Sequence, residues 1–230
     1  MIRVAVIHPS FGRPKLAFEC MREWMRKCNN PFGVEYFLAL DDNDPSLMEY
    51  MHGCQANIFG KFTIDVGNSR TGIQAMNRAV KQISPTTELI VVSADDMGCP
   101  KFWDAELLDV LSKFTQDNFK EPIYIMVSDG MTPTDEGDGP KYALMNRAFY
   151  ERVGFLQCPE YNSMYADNDL YECAIRLNAV HRVPDLVFEH RHHSRGLTPW
   201  DDTYWRTNNL EALEQGRKVF EDRKRRNFDL

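Results

Sequence analysis

The sequence predicts an α/β fold, a mainly parallel sheet flanked by helices, and three observations carry that prediction. Short apolar runs of strand length, such as Val4 to His8 and Leu89 to Val92, alternate with longer stretches whose apolar residues recur every three or four positions. Those are the periods of buried strands and of one-sided helices. The runs are continuously apolar, as expected of strands covered on both faces. Three of them also stop abruptly in polar clusters, at 9–13, 41–44 and 93–96. In parallel sheets ligands gather beyond the carboxyl ends of the strands, so these clusters are expected along one rim.

Taken in order, "VAVIH" is the first strand, and Pro14 opens a helix at a position where its missing N–H costs nothing. In that helix Ala17, Cys20, Met21, Trp24 and Cys28 form one apolar stripe. A second strand covers Val34 to Leu40 and breaks at "DDNDP"; a short strand "NIF" follows it. The next helix, about Thr71 to Ile83, aligns Ile73, Met76, Val80 and Ile83, and "ELIVV" is the central strand. Leu107, Leu108, Leu111 and Phe114 mark the helix behind it. Later come a strand at Ile123 to Ser128 and a loop rich in Gly, Pro and Asp from Asp129 to Lys141. Beyond the loop lie a helix ending at Gly154, another over about Leu170 to Leu177, and the strand "VPDLVFEH" with Leu186, Phe188 and His190 on one side. A last helix runs from about Leu210 into "RKRR".

The 230 residues suffice for one large domain with a substantial core. A net charge of −7 disfavours nonspecific binding to nucleic-acid phosphates. The six cysteines form no C-x-x-C pair, which fits reduced, packed thiols in a cytoplasm. The chain enters its first strand straight after Met1 without the regions of a signal peptide, and no apolar run approaches the roughly 20 residues of a membrane span. The expectation is a soluble, cytoplasmic protein without stable membrane insertion.

Adjacent like charges repel and raise each other's pKa unless a positive group stands beside them. Asp95 and Asp96 therefore pose the central question of the sequence. One acidic residue after a strand serves equally well as a helix cap. Two in succession at the ligand rim favour a divalent cation, Mg²⁺ or Mn²⁺, and with it a phosphate-bearing ligand. Asp41 and Asp42 read either as a solvated turn with Asn43 and Pro45 or as hydrogen-bonding groups for a base or ribose. His190 ends a strand that delivers it to the rim, and an imidazole joining carboxylates suits Mn²⁺ better than Mg²⁺. His192 and His193 read as structural. Asp167 and Asp169 precede a helix; Asp169 is the expected cap, and Asp167 reads as a general base if it faces the rim. "RKRR" reads as cations complementing a helix dipole.

In this order the clusters resemble the GT-A fold glycosyltransferases, particularly the inverting family two and its bacterial and phage relatives. "VAVIHPSFGRP" is similar to the family's opening strand with its Pro-Ser and Arg-Pro, "FLALDDNDP" to the second strand whose terminal acid holds the base, and "TGIQAMNRAV" to the following helix with its Asn. "VVSADDM" resembles the metal-binding D-x-D strand, "NRAFYERVGFL" the segment ending in "vGgF", "YADNDL" the catalytic-base motif and "VPDLVFEH" the late strand with a metal-ligand His. The resemblance spans about residues 3 to 195. Two positions depart from it: Ser93 stands where many relatives have the first D-x-D acid, and Ala166 where they have Glu before the base.

The resemblance implies a GT-A domain over 1–230, with a nucleotide-binding half to about 120, a smaller mixed acceptor-side half over about 121–200 and a helical extension beyond 201. It implies metal-dependent transfer of a sugar from a nucleotide-diphosphate donor, a UDP-sugar favoured, to an acceptor hydroxyl with inversion. Asp95, Asp96 and His190 would hold Mn²⁺ or Mg²⁺. Pro9, Ser10, Arg13, Asp41, Asp42, Arg70, Asn77 and Asp95 would contact the nucleotide-sugar. Asp167 would be the base, with Asp169 as its substitute, and the 129–141 loop would order over bound donor. The acceptor stays open among a glycan, a lipid-linked sugar, a protein and modified DNA. Two rivals stand beside this reading. One is a sugar-phosphate nucleotidyltransferase, against which "PSFGRPKL" offers a single glycine. The other is a non-catalytic nucleotide-sugar-binding module.

Overall fold

The computed structural model describes residues 1, 3–53, 60–114, 120–131 and 142–230. Among them, seven strands form one sheet: β1 (Val4–Pro9), β2 (Val34–Asp41), β3 (Lys61–Gly67), β4 (Leu89–Val92), β5 (Tyr124–Ser128), β6 (Leu144–Asn146) and β7 (Val180–Val187). Their order is β3-β2-β1-β4-β6-β5-β7, parallel throughout except for β6, which runs antiparallel to both β4 and β5. The helices are α1 (Pro14–Lys27), α2 (Leu47–Gly53), α3 (Gly72–Ala79), α4 (Trp103–Phe114), α5 (Arg147–Val153), α6 (Ala166–Arg176), α7 (Asp202–Thr207) and α8 (Leu210–Arg225).

Side chains alternate across a strand, and the central strands bury both faces. Val4 and Val6 of β1 pack with Tyr36 and Leu38 of β2 on the α1 and α4 side. Ile7, Phe37 and Ala39 face the other way, with Met76 of α3 and Leu170 of α6. Trp24 and Trp103 meet between α1 and α4 with ring centroids 5.0 Å apart, both fully buried; burial of side chains of this size contributes about 1.5–3 kcal/mol each or more.

The sequence and structure differ at several elements. The third strand begins at Lys61, whereas "NIF" lies outside the described residues. The helix expected to Ile83 ends at Ala79 and tightens into a 3-10 turn at Val80–Gln82; Thr71 caps its start by accepting from Gln74 N at 3.2 Å. Phe114, expected in the core stripe, is 44% exposed and lies against His181. β6 and α2 had no periodic signal long enough to reveal them. Helix α5 ends as expected at Gly154, whose φ of 84° suits glycine. The five described cysteines are buried and unpaired, and no described helix is long and apolar enough to cross a membrane.

Two expectations about charge are corrected. Asp169 does not cap α6: it sits inside the first turns, fully buried, with Arg223 Nε at 2.5 Å and Tyr161 OH at 2.9 Å. Arg223, the first residue of "RKRR", is not a solvated end-of-helix charge but is only 2% exposed, because this ion pair clamps α8 onto α6. Burial alone would lower the Arg223 pKa, yet the Asp169 hydrogen bond and charge hold it above its ordinary value. Arg223 also pairs with Asp229 at 2.6 Å, so the vulnerable side of the clamp is the carboxylate: removing Arg223 strands the fully buried Asp169 charge, which costs about 3–5 kcal/mol. Arg223→Met is therefore expected to lose stability of that order in urea unfolding, and Asp169→Leu with Arg223→Met to recover most of it. Additive losses in the double variant would refute the clamp.

Candidate active site

Parallel pairing brings the carboxyl ends of the first four strands together, since Pro9 lies beside Ala39, Asp41 beside Gly67 and Ile7 beside Val92. The expected rim is therefore formed. Its centre is the loop after β4, residues 93–99, which α1 holds from beneath. Cys20 Sγ reaches the Ala94 carbonyl at 3.1 Å, Trp24 Nε1 donates to the Met97 carbonyl at 2.9 Å, and Lys27 Nζ donates to the Cys99 carbonyl at 2.7 Å. Residues 20, 24 and 27 share one helix face, so the apolar stripe read from the sequence doubles as a scaffold for the acidic loop. Burial pushes the Cys20 thiol up to about 12, leaving it a neutral donor.

The two aspartates separate. Asp95 turns to β1, where its Oδ1 meets His8 Nε2 at 2.9 Å; His8 is fully buried and its Nδ1 lies 2.6 Å from Tyr36 OH. A carboxylate only accepts, so His8 Nε2 carries the proton toward Asp95. Asp96 turns to the C-terminal side, where it accepts from the Tyr204 hydroxyl and lies 3.4 Å from His190 Nε2. His190 lies beyond the end of β7, and a lone antiparallel bridge with Met97, backed by Arg191 N donating to the Asp96 carbonyl at 2.8 Å, places it there. Burial works to raise the Asp96 pKa, but the hydrogen bonds of His190 and Tyr204 and the charges of His190 and Arg13 outweigh it and hold the carboxyl below its usual range. Burial likewise lowers His190, and the Asp96 hydrogen bond and charge reverse that into a raised value. Each carboxylate thus has its own imidazole partner.

Among the described residues no three His, Cys, Asp or Glu side chains group in metal-holding geometry. Asp96 and His190 fit a divalent cation as a pair of ligands, an oxygen and an imidazole nitrogen, with the remaining positions left to substrate oxygens. Asp95, expected as a third ligand, has one carboxylate oxygen engaged by His8.

A cleft of about 680 Å³ opens in front of Asp96 and His190 and reaches Pro9, Asn162 and Asp167. Asp167 sits in the first turn of α6, its Oδ1 accepting from Asn168 N at 2.9 Å. The residue before that helix, Tyr165, has a φ of 70°, a left-handed backbone that non-glycine residues adopt at a cost. Helix α8 sits against this turn: a Cβ at Gly216 would stand 2.3 Å from the Met164 carbonyl.

A second hollow of about 500 Å³ is lined by Asp41, Asp42, Asn43, Asn68, Arg70 and Arg206. Asp41 Oδ1 is buried with no hydrogen-bond partner among the described residues, and burial pushes this carboxyl up to about 6. Asp42 is exposed. Ser10 is buried against Tyr50 OH at 2.7 Å, and the same hydroxyl accepts from Arg13 N at 2.9 Å, so both shape the turn after β1. The Arg13 side chain is engaged in an ion pair with Asp201, its Nε 2.7 Å from Oδ2, and stacks over the Tyr204 ring at 4.4 Å. Asn77 is redirected: its amide donates to the Gln157 carbonyl at 2.7 Å and accepts from Leu156 N at 2.8 Å, so it pins the segment below the cleft where a nucleotide contact was expected. Sequence reasoning missed His8, Asp201, Tyr204 and Arg206. For His8 a signal existed, a polar ring closing an otherwise apolar strand at the rim. For the other three none did, as their partners lie far away along the chain.

No sequence-family profile and no characterised sequence relative matches the chain. Solved structures do. The chain superposes on Staphylococcus aureus TarS in complex with UDP-GlcNAc with a TM-score of 0.59 at 15% identity, over 81% of this chain and 57% of that one. It superposes on the mannosyltransferase PcManGT of Pyrobaculum calidifontis, in complex with GDP-Man and Mn²⁺, with a TM-score of 0.58 at 13% identity, over 96% and 75%. A Drosophila β-1,4-galactosyltransferase 7 complex with manganese and UDP-Gal gives 0.52 at 12% identity, over 91% and 80%. The chain spans between 36% and 59% of the TarS chains it matches. These likenesses establish the fold: the chain has the α/β architecture of the GT-A glycosyltransferases, as its sequence led one to expect.

The His8 contacts generate a stability prediction. His8→Phe takes one buried partner from Asp95 and one from Tyr36 OH, which keeps Ser93 and Cys20, an expected loss of about 1–3 kcal/mol. His8→Asn, which keeps an N–H, is expected to lose less than half of that in urea unfolding. Equal losses would mean that ring packing, and not the hydrogen bonds, accounts for His8.

Proposed function

We propose that the protein is a metal-dependent glycosyltransferase that moves a sugar from a nucleotide-diphosphate donor, preferably a UDP-sugar, to an acceptor hydroxyl with inversion. The observation that carries this reading is the convergence of Asp96, His190 and Asp167 on one cleft at the strand ends of a GT-A sheet. That several structural neighbours were solved with UDP, UDP-GlcNAc or GDP-Man and Mn²⁺ supports it.

The hollow at Asp41 would take the base. An orphaned, buried carboxylate oxygen accepts from the N–H of an imide, and the neighbouring Arg70, Arg206, Asn43 and Asn68 can donate to flanking carbonyls. Uracil presents that acceptor–donor–acceptor edge, whereas adenine and cytosine present a ring lone pair to the carboxylate. Asp95, oriented by His8, would accept from ribose or sugar hydroxyls. Asp96 and His190 would hold a Mn²⁺ or Mg²⁺ ion, and the chemistry that ion supplies when bound is neutralisation of the charge growing on the departing diphosphate. Asp167 would take the proton of the acceptor hydroxyl as its oxygen bonds to the anomeric carbon. The bond from that carbon to the phosphate oxygen breaks, its electron pair leaving with the nucleoside diphosphate. Attack from the face opposite the leaving group inverts the anomeric centre. The burial of Asp169 in its pair with Arg223 supports Asp167 over Asp169 as the base.

Two outcomes test this. Asp167→Asn is expected to lower the transfer rate by roughly 100-fold or more while leaving UDP affinity within about twofold, measured by UDP release and by calorimetry; full activity would eliminate the base. Because Asp96 and His190 would be the two protein ligands among the described residues, Mn²⁺ alone should bind weakly and UDP should tighten it by roughly tenfold or more, a coupling that is reciprocal. Equal Mn²⁺ affinity with and without UDP, or unchanged turnover in chelator, would defeat the shared-cation arrangement.

A further inference from the structure

The acceptor end of the cleft can be read from the chemistry of its walls, an inference that rests on the transferase reading above. Because the attacking hydroxyl must reach Asp167, the surfaces on either side of that residue belong to the acceptor. They come from the segment leading into α6 and from the C-terminal helices. Asn162, Ser163, Asn168 and Thr207 offer amides and hydroxyls, while Met164 and Leu213 offer apolar patches, all lining the same cleft as the Asp96 and Asp167 carboxylates.

We propose that the acceptor is an uncharged carbohydrate, a neutral terminal sugar presenting a free hydroxyl, and not a phosphorylated or otherwise anionic molecule. Amides and hydroxyls both donate and accept, which matches sugar hydroxyls that do the same, and carboxylates accept from hydroxyls but from no phosphate oxygen. A pyranose also has an apolar C–H face, for which Met164 and Leu213 provide cover. An anionic acceptor would bring its charge toward Asp167 and toward a chain of net charge −7, and like-charge juxtaposition is unfavourable at short range. The wall is also preformed. Gly216 lets α8 close on the Met164 carbonyl, and the left-handed backbone at Tyr165 fixes the turn into α6. Such pre-organisation suits recognition of a defined small unit more than adaptation to varied polypeptide.

The test uses the wild-type chain with Mn²⁺ and a UDP-hexose panel, reading UDP release. Donor binding and slow hydrolysis without acceptor report the transferase reading alone. Matched acceptors are then added: neutral disaccharides, the same sugars phosphorylated, the same sugars as neutral alkyl glycosides, and duplex DNA. The neutral forms are expected to accelerate UDP release at least roughly tenfold over their phosphorylated counterparts. A free disaccharide surpassing its alkyl glycoside identifies a soluble glycan, and the reverse identifies a neutral lipid-linked sugar; both support the proposal. Ser163→Lys should lower the rate with neutral acceptor and raise the ratio of phosphorylated to neutral rates. Donor hydrolysis with preference for phosphorylated sugar or DNA, or with no response to any neutral sugar, overturns the acceptor assignment while the transferase reading stands. Failure to bind any donor overturns both.

Discussion

Two adjacent carboxylates at the end of a buried strand are the constraint around which this molecule is arranged. Adjacent like charges repel, and the fold sends Asp95 and Asp96 in opposite directions, each to a different histidine. His8 comes from the strand next door and is fixed at its far nitrogen by Tyr36. His190 comes from beyond β7, held by a bridge to the same loop. The loop can adopt this shape because α1 supplies donors to its carbonyls from three positions on one face, spread over about two turns. Core packing and site geometry are therefore one construction, with the apolar stripe of α1 and its polar edge working on the same few residues.

This division of labour also explains what each carboxylate is suited to do. Asp96 lies beside positive groups, His190 and Arg13, that help hold its carboxyl below the usual range. On the proposed reading, a cation held by Asp96 and His190 would take further ligands from substrate oxygens, which would tie cation and donor binding together. Asp95, with one oxygen on His8, retains acceptor capacity for hydroxyl groups. A protein that held both carboxylates on one cation would bind that cation more tightly without substrate and would gain less from the donor's phosphates.

The sequence revealed the sheet's first half well because its strands are fully buried and its helices one-sided, so the two periods separate cleanly. The rim followed from that, since parallel strands must end together. The second half was less legible. β6 is three residues long, and β7 starts at Val180, before the Pro-containing stretch that signalled it. Asp169 and Arg223 illustrate the deeper limit. Each has a sound local explanation as a cap or a dipole charge, and only the tertiary contact between positions 54 residues apart shows them to be a buried pair. Asn77 is similar, a polar helix residue whose partners are backbone groups at Leu156 and Gln157.

The C-terminal segment gives the last step. Asp201 accepts from Arg13, Tyr204 donates to Asp96, and the Arg206 guanidinium lies over the Phe11 ring at 3.8 Å while lining the hollow at Asp41. These three contacts fall on the turn after β1, the acidic loop and the end of β2, the same three strand ends whose polar clusters first marked the rim. A carboxylate beside Arg13 balances its charge in the way an anionic ligand would, and a phenol on Asp96 satisfies an oxygen that a cation would otherwise claim. Burial and the neighbouring Asp96 charge both push the Tyr204 hydroxyl above its ordinary pKa, so it remains a donor throughout the neutral range. The segment thus supplies partners to Arg13 and Asp96 at the rim. By the contacts it makes, the segment from Asp201 to Arg206 is thereby tied to all three strand ends.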